Sequence, residues 1–263
     1  MEVLHDDLTK TIAELNAGIH IKHIATLNLA TCLDSEKIDE VISKSEFKNF
    51  DIIPVRDQEG KIVGIIERKT ETSHSNSLPF KSPIKVSMLV CSESSVLSSL
   101  RLFRDSSFKL VLGDNGIEGI VTKSDLLKLP VRIVAFSFIS SLESLMARLI
   151  EEKIGSDSIH WKKYISESRF DKIFNKHKKL QAESVEPQLV ELMDFCDKRD
   201  IIRKHFRLDR TFEVDLKEIE DLRNSIAHSG NYISSGEDIN KFILTIEHIE
   251  NWLKQISNRL DPS

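Results

Sequence analysis

The chain has 263 residues, enough for two ordinary domains that each bury a core. Hydrophobic residues make up 40% and charged residues 30%, which is typical of a globular protein. The net charge of -5 argues against a generally basic nucleic-acid binder. The most apolar stretch, 131–150, is interrupted by Arg132, Glu143 and Arg148, so we expect no membrane span.

Cysteine use and the start of the chain predict a cytoplasmic protein with reduced thiols. Cys32, Cys91 and Cys196 are odd in number and far apart, which fits neither a disulfide framework nor zinc-ligand spacing. The first seven residues lack the basic start and apolar core of a signal peptide.

Charge is unevenly distributed in the second half of the chain. Residues 162–179 contain seven Lys or Arg against two acidic residues, and residues 198–210 contain six against two. Such strips can hold a phosphate backbone, or they can be solvated faces of helices. The sequence leaves both interpretations open.

Up to about residue 129, short helical and strand patterns alternate. Apolar positions on one face predict a helix over 35–47, with Asp34 or Ser35 as its N-cap. Two apolar runs follow at 52–55 and 62–66. They are separated by a turn that contains a glycine, and this pattern predicts a β-hairpin.

The same order recurs about 55 residues later. A helix is predicted from Ser94 or Ser95, and a second hairpin is predicted from the apolar runs 108–112 and 117–121. A supersecondary unit that recurs indicates two copies stacked on each other, because one copy cannot close a core alone.

Alignment of Gly64 with Gly119 brings the two units into register, and the Ser- and Thr-rich segment 70–83 is the predicted linker. A helix, a hairpin and a polar helix start, twice in tandem, resemble a CBS domain pair. This resemblance implies an α/β module over residues 1–129, with repeats at about 17–72 and 80–129.

The most specific part of the resemblance is the segment 119–125, Gly-Ile-Val-Thr-Lys-Ser-Asp, which matches the CBS pattern Gly-aliphatic-x-Thr-x-x-Asp. The match implies that Thr122 contacts a ligand phosphate and that Asp125 binds the ribose hydroxyls of an adenosine nucleotide. Free N–H groups at a helix start favour phosphate, and a carboxylate can accept from two vicinal hydroxyls. Alternatively, Thr122 and Asp125 only cap the helix.

The first repeat departs from this pattern. Glu67 stands where the threonine is expected, and Thr70 stands where the aspartate is expected. A carboxylate at the phosphate position would repel the ligand. We therefore expect at most one working nucleotide site, in the second repeat.

Beyond Pro130 the patterns change to long helices. Pro130 suits the first turn of a helix, and one apolar face continues to about residue 154. Its predicted members are Phe136, Ile139, Leu142, Leu145, Met146, Leu149 and Ile150. Further helices are predicted over 161–180, 187–206, 215–228 and 237–260. The fold class is thus a two-domain α+β/α protein, with an all-α antiparallel bundle over 130–263.

A polar set lies near the end of the fourth predicted helix. The set consists of Arg223, Asn224 and His228. Asn224 and His228 are four residues apart and therefore share a face of the helix. Leu222, Ile226 and Ile219 are expected on the core side, and Gly230 is the expected C-cap. The predicted surface is polar and rigidly mounted.

The arrangement Arg-Asn-x-x-x-His in a helical domain resembles the HEPN family motif. The resemblance implies a metal-independent endoribonuclease and a homodimer in which two motifs share one cleft. RNA supplies its own 2′-hydroxyl nucleophile, His228 can transfer protons and Arg223 can stabilise the charged phosphorane. Asn224 can orient His228 or donate to a phosphate oxygen.

The HEPN resemblance also implies a role in stress or phage defence, with RNA and no DNA as partner. The CBS resemblance adds an adenosine nucleotide at the second repeat as a regulatory ligand. The alternative is a non-catalytic, nucleotide-responsive dimer that binds RNA or protein. His160, His177, His205 and His248 are expected at the surface or in helix packing and form no metal set with the carboxylates. Trp161 and Trp252 are expected core or dimer anchors.

Overall fold

The computed structural model describes residues 14, 17–68, 80–227 and 236–260. The chain divides into two compact units, one formed by Asn16–Val131 and the other containing Arg132–Ser263. Each unit has its own secondary structure, mixed strands and short helices in the first and long helices in the second.

The first unit contains two small sheets, one for each repeat. The strands of the first sheet are β1 Cys32–Leu33, β2 Ile52–Arg56, β3 Ile62–Glu67 and β4 Phe80–Pro83. The strands of the second sheet are β5 Leu89–Cys91, β6 Phe108–Gly113 and β7 Gly116–Thr122. In each sheet a short parallel strand precedes an antiparallel hairpin, so both predicted hairpins are confirmed.

The two repeats share the same strand register. Gly64 lies opposite Val55 in the first hairpin, and Gly119 lies opposite Val111 in the second. A shift in register follows immediately in both hairpins. This agrees with the predicted alignment of the two glycines.

The repeats exchange their first segments. Strand β4, at the start of the second repeat, pairs with β3 of the first repeat. Thr26, near the start of the first repeat, exchanges two backbone hydrogen bonds of 2.9 and 3.0 Å with Ile120 of the second. The prediction of a linker over 70–83 is therefore wrong at its end. Its last four residues form a strand, and residues 70–79, Thr70 included, lie outside the described residues.

The helix predicted over 35–47 is shorter than expected. It is observed as α1 Ile38–Ser43 followed by a 3-10 helix, Ser45–Phe47. Extended backbone at Lys44 interrupts it, and the residue before α1 is Lys37 rather than Asp34 or Ser35. The carboxylate of the neighbouring Glu36 accepts a hydrogen bond from the N–H of Leu33.

The corresponding helix of the second repeat is also short. The side chain of Ser95, one of the two predicted N-caps, accepts a hydrogen bond from the N–H of Ser98 and caps α2, Val96–Ser99. A 3-10 helix, Leu100–Phe103, continues from it. Leu100 and Phe103 are fully buried, so the predicted apolar face is used although the α-helical part is brief.

The second unit is a helical region, as the long apolar periods predict. Its helices are α3 Leu129–Lys153, α4 Ser158–Trp161, α5 Glu167–Ala182, α6 Phe195–Phe206, α7 Arg210–Ala227 and α8 Gly236–Leu260. The ends of α3 and α8 agree with the prediction within about one residue.

Three helix boundaries in this unit differ from the prediction. The helix expected over 161–180 breaks, because Ser166 accepts the N–H of Arg169 and starts a new helix there. The helix expected from residue 187 begins at Phe195, where Asp194 and Asp197 form a reciprocal capping box. The helix expected from residue 215 begins five residues earlier, at Arg210.

Helix α3 carries much of the core of the second unit. Most of its predicted apolar face is buried, including Ile139, Leu142 and Leu149, but Phe136 is 40% exposed and was wrongly assigned to that face. By length and composition alone α3 could cross a membrane, and 56% of its most apolar stretch is buried within the structure. A core helix of a soluble protein meets the same criterion.

Two tryptophans anchor the helical core, as predicted. Trp161 is fully buried and lies 5.9 Å from Phe170, measured between ring centroids. Trp252 packs edge-on against Phe212 at 4.6 Å and donates its indole N–H to Asp215 at 3.0 Å. The polar end of the Trp252 ring is thereby satisfied within the core.

We predict that Gly119→Ala destabilises the first unit. A Cβ at this position would lie 2.9 Å from the backbone oxygen of Thr26, so the exchanged segment would have to move. We expect a loss of about 1–3 kcal/mol in the free energy of unfolding, the usual cost of overpacking.

The matched control for this substitution is Gly18→Ala, where an added Cβ meets no atom within 4 Å. Urea unfolding followed by circular dichroism measures both variants. Equal stability of the two would contradict the close backbone approach at Gly119.

Candidate functional site

An open cleft lies in the first unit and is lined by residues of both repeats. One part of its wall is apolar and is formed by Phe50, Ile52, Phe108 and Ile120. The other part is polar and is formed by Thr122, Lys123, Ser124 and Asp125. The structure thus places both sequence-predicted ligand residues, Thr122 and Asp125, in one cleft.

The polar wall is positioned by the end of the second hairpin. Strand β7 ends at Thr122, and a 3-10 helix, Lys123–Leu127, follows directly. The N–H of Lys123 donates to the carbonyl of Ser107 at 3.1 Å, which joins this helix start to the segment before β6. The end of β7 and the start of β6 therefore meet at the cleft.

Thr122 and Asp125 are also bonded to each other. The Asp125 carboxylate accepts the N–H of Thr122 at 2.6 Å and the Thr122 hydroxyl at 2.9 Å. Its other oxygen forms an ion pair of 2.8 Å with Lys128, which also donates to the carbonyl of Ile24. The alternative of helix capping is therefore realised in the structure, and Asp125 is only 8% exposed.

These contacts limit what the site can offer a ligand. A carboxylate has about four acceptor positions, and internal partners of Asp125 use three of them. The helix that starts here has only five residues of 3-10 type, so the dipole expected from the sequence is small. Any phosphate at this site depends mainly on Lys123 and on hydroxyl groups.

Of the positions in the first repeat that correspond to the polar wall, the structure describes Glu67 and Arg68. Glu67 ends β3 at the position that corresponds to Thr122, as the alignment predicts. The cation that follows it, Arg68, donates to the carbonyls of Ile42 and Lys48 and is engaged in the fold. The carboxylate of Glu67 thus leaves this position unfavourable for phosphate.

The second candidate site lies on α7 of the helical unit. Ile219, Leu222 and Ile226 are buried, which confirms the predicted core side of this helix. On the remaining surface Asn224 is exposed, and the side chain of Arg223 is 36% exposed. His228 and Gly230 lie outside the described residues, so their predicted places beside Asn224 and at the helix end stay predictions.

Arg223 has an internal partner that the sequence did not reveal. Its Nε lies 3.4 Å from Oε2 of Glu143 on α3. The other oxygen of Glu143 accepts from Lys198 of α6 at 2.9 Å. Lys198 is 4% exposed and donates as well to the carbonyl of Met193 at 3.1 Å. One carboxylate therefore joins helices α3, α6 and α7.

A second contact also holds the end of α7 to α3. The guanidinium of Arg132 donates to the carbonyl of Ile226 at 2.9 Å, close to the point where α7 ends. A cation near this end of a helix also interacts favourably with the helix dipole. Arg132 and Glu143 thus attach the motif helix to α3 at two points.

The remaining histidines of interest serve packing or lie at the surface. His205 is hydrogen-bonded through Nδ1 to the Tyr164 hydroxyl at 3.1 Å, and His248 lies 3.4 Å from Asp215. His160 is exposed. In the described ranges no group of three or more His, Cys, Asp or Glu side chains is arranged to hold a metal ion.

We predict that Glu143→Leu destabilises the helical unit by about 3–5 kcal/mol. Among the described residues, only the Met193 carbonyl would then remain as a partner of the buried Lys198 ammonium, and an uncompensated buried charge has a cost of this size. Urea unfolding measures the change, and the double variant Glu143→Leu/Lys198→Met should recover most of the loss.

The control for this prediction is Glu152→Leu on the same helix, which breaks the more exposed pair with Arg148. Its expected cost is below about 1 kcal/mol. If Glu143→Leu and Glu152→Leu cost the same, Glu143 does not compensate a buried charge.

The structure is similar to several solved structures at low sequence identity. The CBS domain of the bacterial CNNM/CorC family Mg2+ transporter in complex with ATP is 17% identical, with a TM-score of 0.35 and coverage of 49% of this chain and 97% of that chain. TA0289, a CBS domain protein from Thermoplasma acidophilum, is 17% identical, with a TM-score of 0.34 and coverage of 45% and 75%. Protein MJ1004 from M. jannaschii is 17% identical, with a TM-score of 0.36 and coverage of 90% and 100%.

A family comparison of the sequence identifies the second repeat. Residues 84–132, which include Thr122 and Asp125, match the CBS domain family. A search of the curated proteins found no match. The segment 84–132 of this chain is a CBS domain.

Proposed function

We propose that the first unit binds an adenosine nucleotide in the cleft of the second repeat. The observation that carries this proposal is that Thr122 and Asp125 line one cleft together with an apolar wall. The family match over 84–132 supports it, because this domain family generally binds nucleotides. A pocket with apolar walls and a few convergent polar groups is the usual form of a small-ligand site.

The proposed binding mode follows from the chemistry of the two walls. The base packs on the apolar wall beside Phe108 and Ile120, and the phosphate contacts Lys123 and the hydroxyl of Thr122. The ribose hydroxyls donate to Asp125, which has one acceptor position left beyond its internal bonds. Binding of both hydroxyls therefore requires Asp125 to release Lys128 or the Thr122 hydroxyl.

We predict that Asp125→Asn weakens binding of AMP or ATP roughly 10- to 100-fold, because a hydrogen bond to a charged acceptor is replaced by a neutral one. Lys123→Gln should weaken ATP and AMP binding more than adenosine binding. Isothermal titration calorimetry measures all three ligands.

Asp114→Asn is the matched control, since Asp114 is exposed in the hairpin turn and is absent from the cleft. The melting temperature without ligand reports any damage to the helix cap. A wild-type protein that binds no adenosine nucleotide, or an Asp125→Asn variant with unchanged affinity, contradicts the site.

We propose further that the helical unit is a metal-independent endoribonuclease that acts as a homodimer. Its site is formed by Arg223, Asn224 and His228 from two chains. The exposure of Asn224 and the partial exposure of Arg223 on a helix with a buried opposite face support this proposal. Mounting on a long helix limits their movement, which catalysis of this kind requires.

The proposed reaction is attack of the RNA 2′-hydroxyl on the adjacent phosphorus. His228 transfers the proton and Arg223 stabilises the negative charge that develops on the phosphoryl oxygens. The ester bond to the 5′-oxygen of the next nucleotide breaks, which leaves a 2′,3′-cyclic phosphate and a 5′-hydroxyl. The shortest contact between Arg223 and Glu143 joins Nε and Oε2 at 3.4 Å, too long for a strong hydrogen bond, so a phosphate can compete for the guanidinium.

Coupling between the two units is part of the proposal. Helix α3 begins four residues after Asp125 in the sequence and carries Glu143 and Arg132, which hold the motif helix. A nucleotide that prefers one arrangement of the dimer would change the distance between the two motifs. We place this function in the cytoplasm and, by analogy with the HEPN family, in stress or phage defence.

We predict that the wild-type protein cleaves single-stranded RNA in the presence of EDTA and that His228→Ala lowers the rate by at least about 100-fold, the usual contribution of general acid-base catalysis. Mass spectrometry of the products should detect 2′,3′-cyclic phosphate ends. His160→Ala, at an exposed position on α4, should keep full activity.

The second candidate is a non-catalytic dimer that responds to nucleotide and binds RNA or protein. The ion pair between Arg223 and Glu143 favours it, since a neutralised arginine stabilises phosphate charge less well. Equal degradation of RNA by wild type and His228→Ala, or degradation by neither, would support this candidate and exclude the ribonuclease.

A further inference from the structure

The segment 158–182 of the helical unit combines exposed lysines with half-buried aromatic rings. It comprises α4, a 3-10 helix, Lys162–Tyr164, and α5. We call its relevant part the lysine–phenylalanine surface. It consists of Lys162, Lys163, Phe170, Phe174, Lys176, Lys178 and Lys179.

The two phenylalanines form a platform. Their rings are one helical turn apart on α5, with centroids separated by 5.8 Å and planes inclined by only 14°. Phe170 is held from below by the fully buried Trp161, at 5.9 Å between centroids. Neither phenylalanine is fully buried, so part of each ring faces solvent.

A lysine lies over each ring of the platform. The ammonium of Lys162 is 4.2 Å from the centroid of Phe170, and that of Lys178 is 4.6 Å from the centroid of Phe174. At exposed sites such a contact contributes about 0.5–1 kcal/mol. A contact this weak can be exchanged for a stacked base, while the flexible lysine moves to a neighbouring phosphate.

The charge of this surface is not compensated internally. In the part of the chain that the structure describes, none of its five lysines forms an ion pair with a carboxylate. By contrast, Arg169 and Lys172 on the same helix both pair with Asp194, at 2.6 and 3.1 Å. The exposed carboxylates of α5 are Glu167 and Asp171, so lysines outnumber carboxylates on this surface.

We propose that the lysine–phenylalanine surface binds single-stranded RNA. Phe170 and Phe174 stack on two bases, and the surrounding lysines contact the phosphates. Stacking on aromatic rings beside a basic groove is the general mode of single-strand binding. Duplexes conceal the faces of their bases, and anionic lipid offers none. The choice of RNA rests on the proposed ribonuclease function, whereas the surface lies outside the motif on α7.

The test uses a fluorescent 2′-O-methyl RNA 12-mer, which lacks the 2′-hydroxyl nucleophile and stays intact. Fluorescence anisotropy with the full chain measures its affinity. We expect Phe174→Leu, which keeps an apolar side chain, to weaken binding about tenfold. We expect Lys162→Gln/Lys178→Gln to reduce the slope of log affinity against log salt concentration by about 1.4, or about 0.7 for each lost phosphate contact.

The matched control is Lys153→Gln/Lys254→Gln, which removes two charges from exposed positions of the same unit. It should bind like the wild type. The proposal is overturned if the control weakens binding as much as Lys162→Gln/Lys178→Gln. It is also overturned if Phe174→Leu, with an unchanged melting temperature, binds as tightly as wild type, or if double-stranded RNA binds better than the 12-mer.

The same assay separates this proposal from the ribonuclease. If the 2′-O-methyl RNA binds through these residues and unmodified RNA is not cleaved, the proposed RNA-binding surface is supported and the ribonuclease activity is excluded. If unmodified RNA is cleaved and both surface variants bind RNA like the wild type, the ribonuclease activity is supported and the proposed RNA-binding surface is contradicted.

Discussion

Three helices of the helical unit meet at one carboxylate, that of Glu143, which compensates a buried ammonium. Lys198 is almost completely enclosed, and a buried ammonium is tolerated only with a close anionic partner. Glu143 supplies that partner and cannot leave without a large loss of stability. Because its second oxygen faces Arg223, the position of the candidate catalytic arginine depends on a contact that the fold cannot give up. Stability and the candidate site thus share one carboxylate.

The first unit depends on a different constraint, the close approach of backbones at two glycines. Gly64 and Gly119 lie where a segment from the other repeat passes, and an added Cβ would lie only 3.0 Å from the backbone oxygen of Ser82 and 2.9 Å from that of Thr26, closer than an ordinary van der Waals contact. Each repeat therefore bonds to the first segment of the other, β3 to β4 and Ile120 to Thr26. This exchange ties the two repeats together into one unit.

The sequence predicted features that are encoded locally and missed those that depend on distant partners. Alternating apolar runs and turn glycines were sufficient for both hairpins, and helical spacing was sufficient for the buried face of α7. The predicted helix ends were wrong where a side chain bonds to nearby backbone, as at Ser166. The pairing of Glu143 with Lys198 joins residues that are 55 positions apart. A charged residue within an apolar helix indicates that a partner exists, but it does not identify that partner.

Both candidate sites contain a key charged group that already has internal partners. Asp125 is held by Thr122 and Lys128, and Arg223 is held by Glu143. A ligand must compete with these contacts, and the competition lowers its apparent affinity by the fraction of molecules in which the group is free. The same competition creates two states of each group, internally paired and ligand-bound. A ligand changes the populations of these two states at one group. It can influence the other group only if the two states differ in their effect on α3, the helix that follows the CBS domain and carries Glu143.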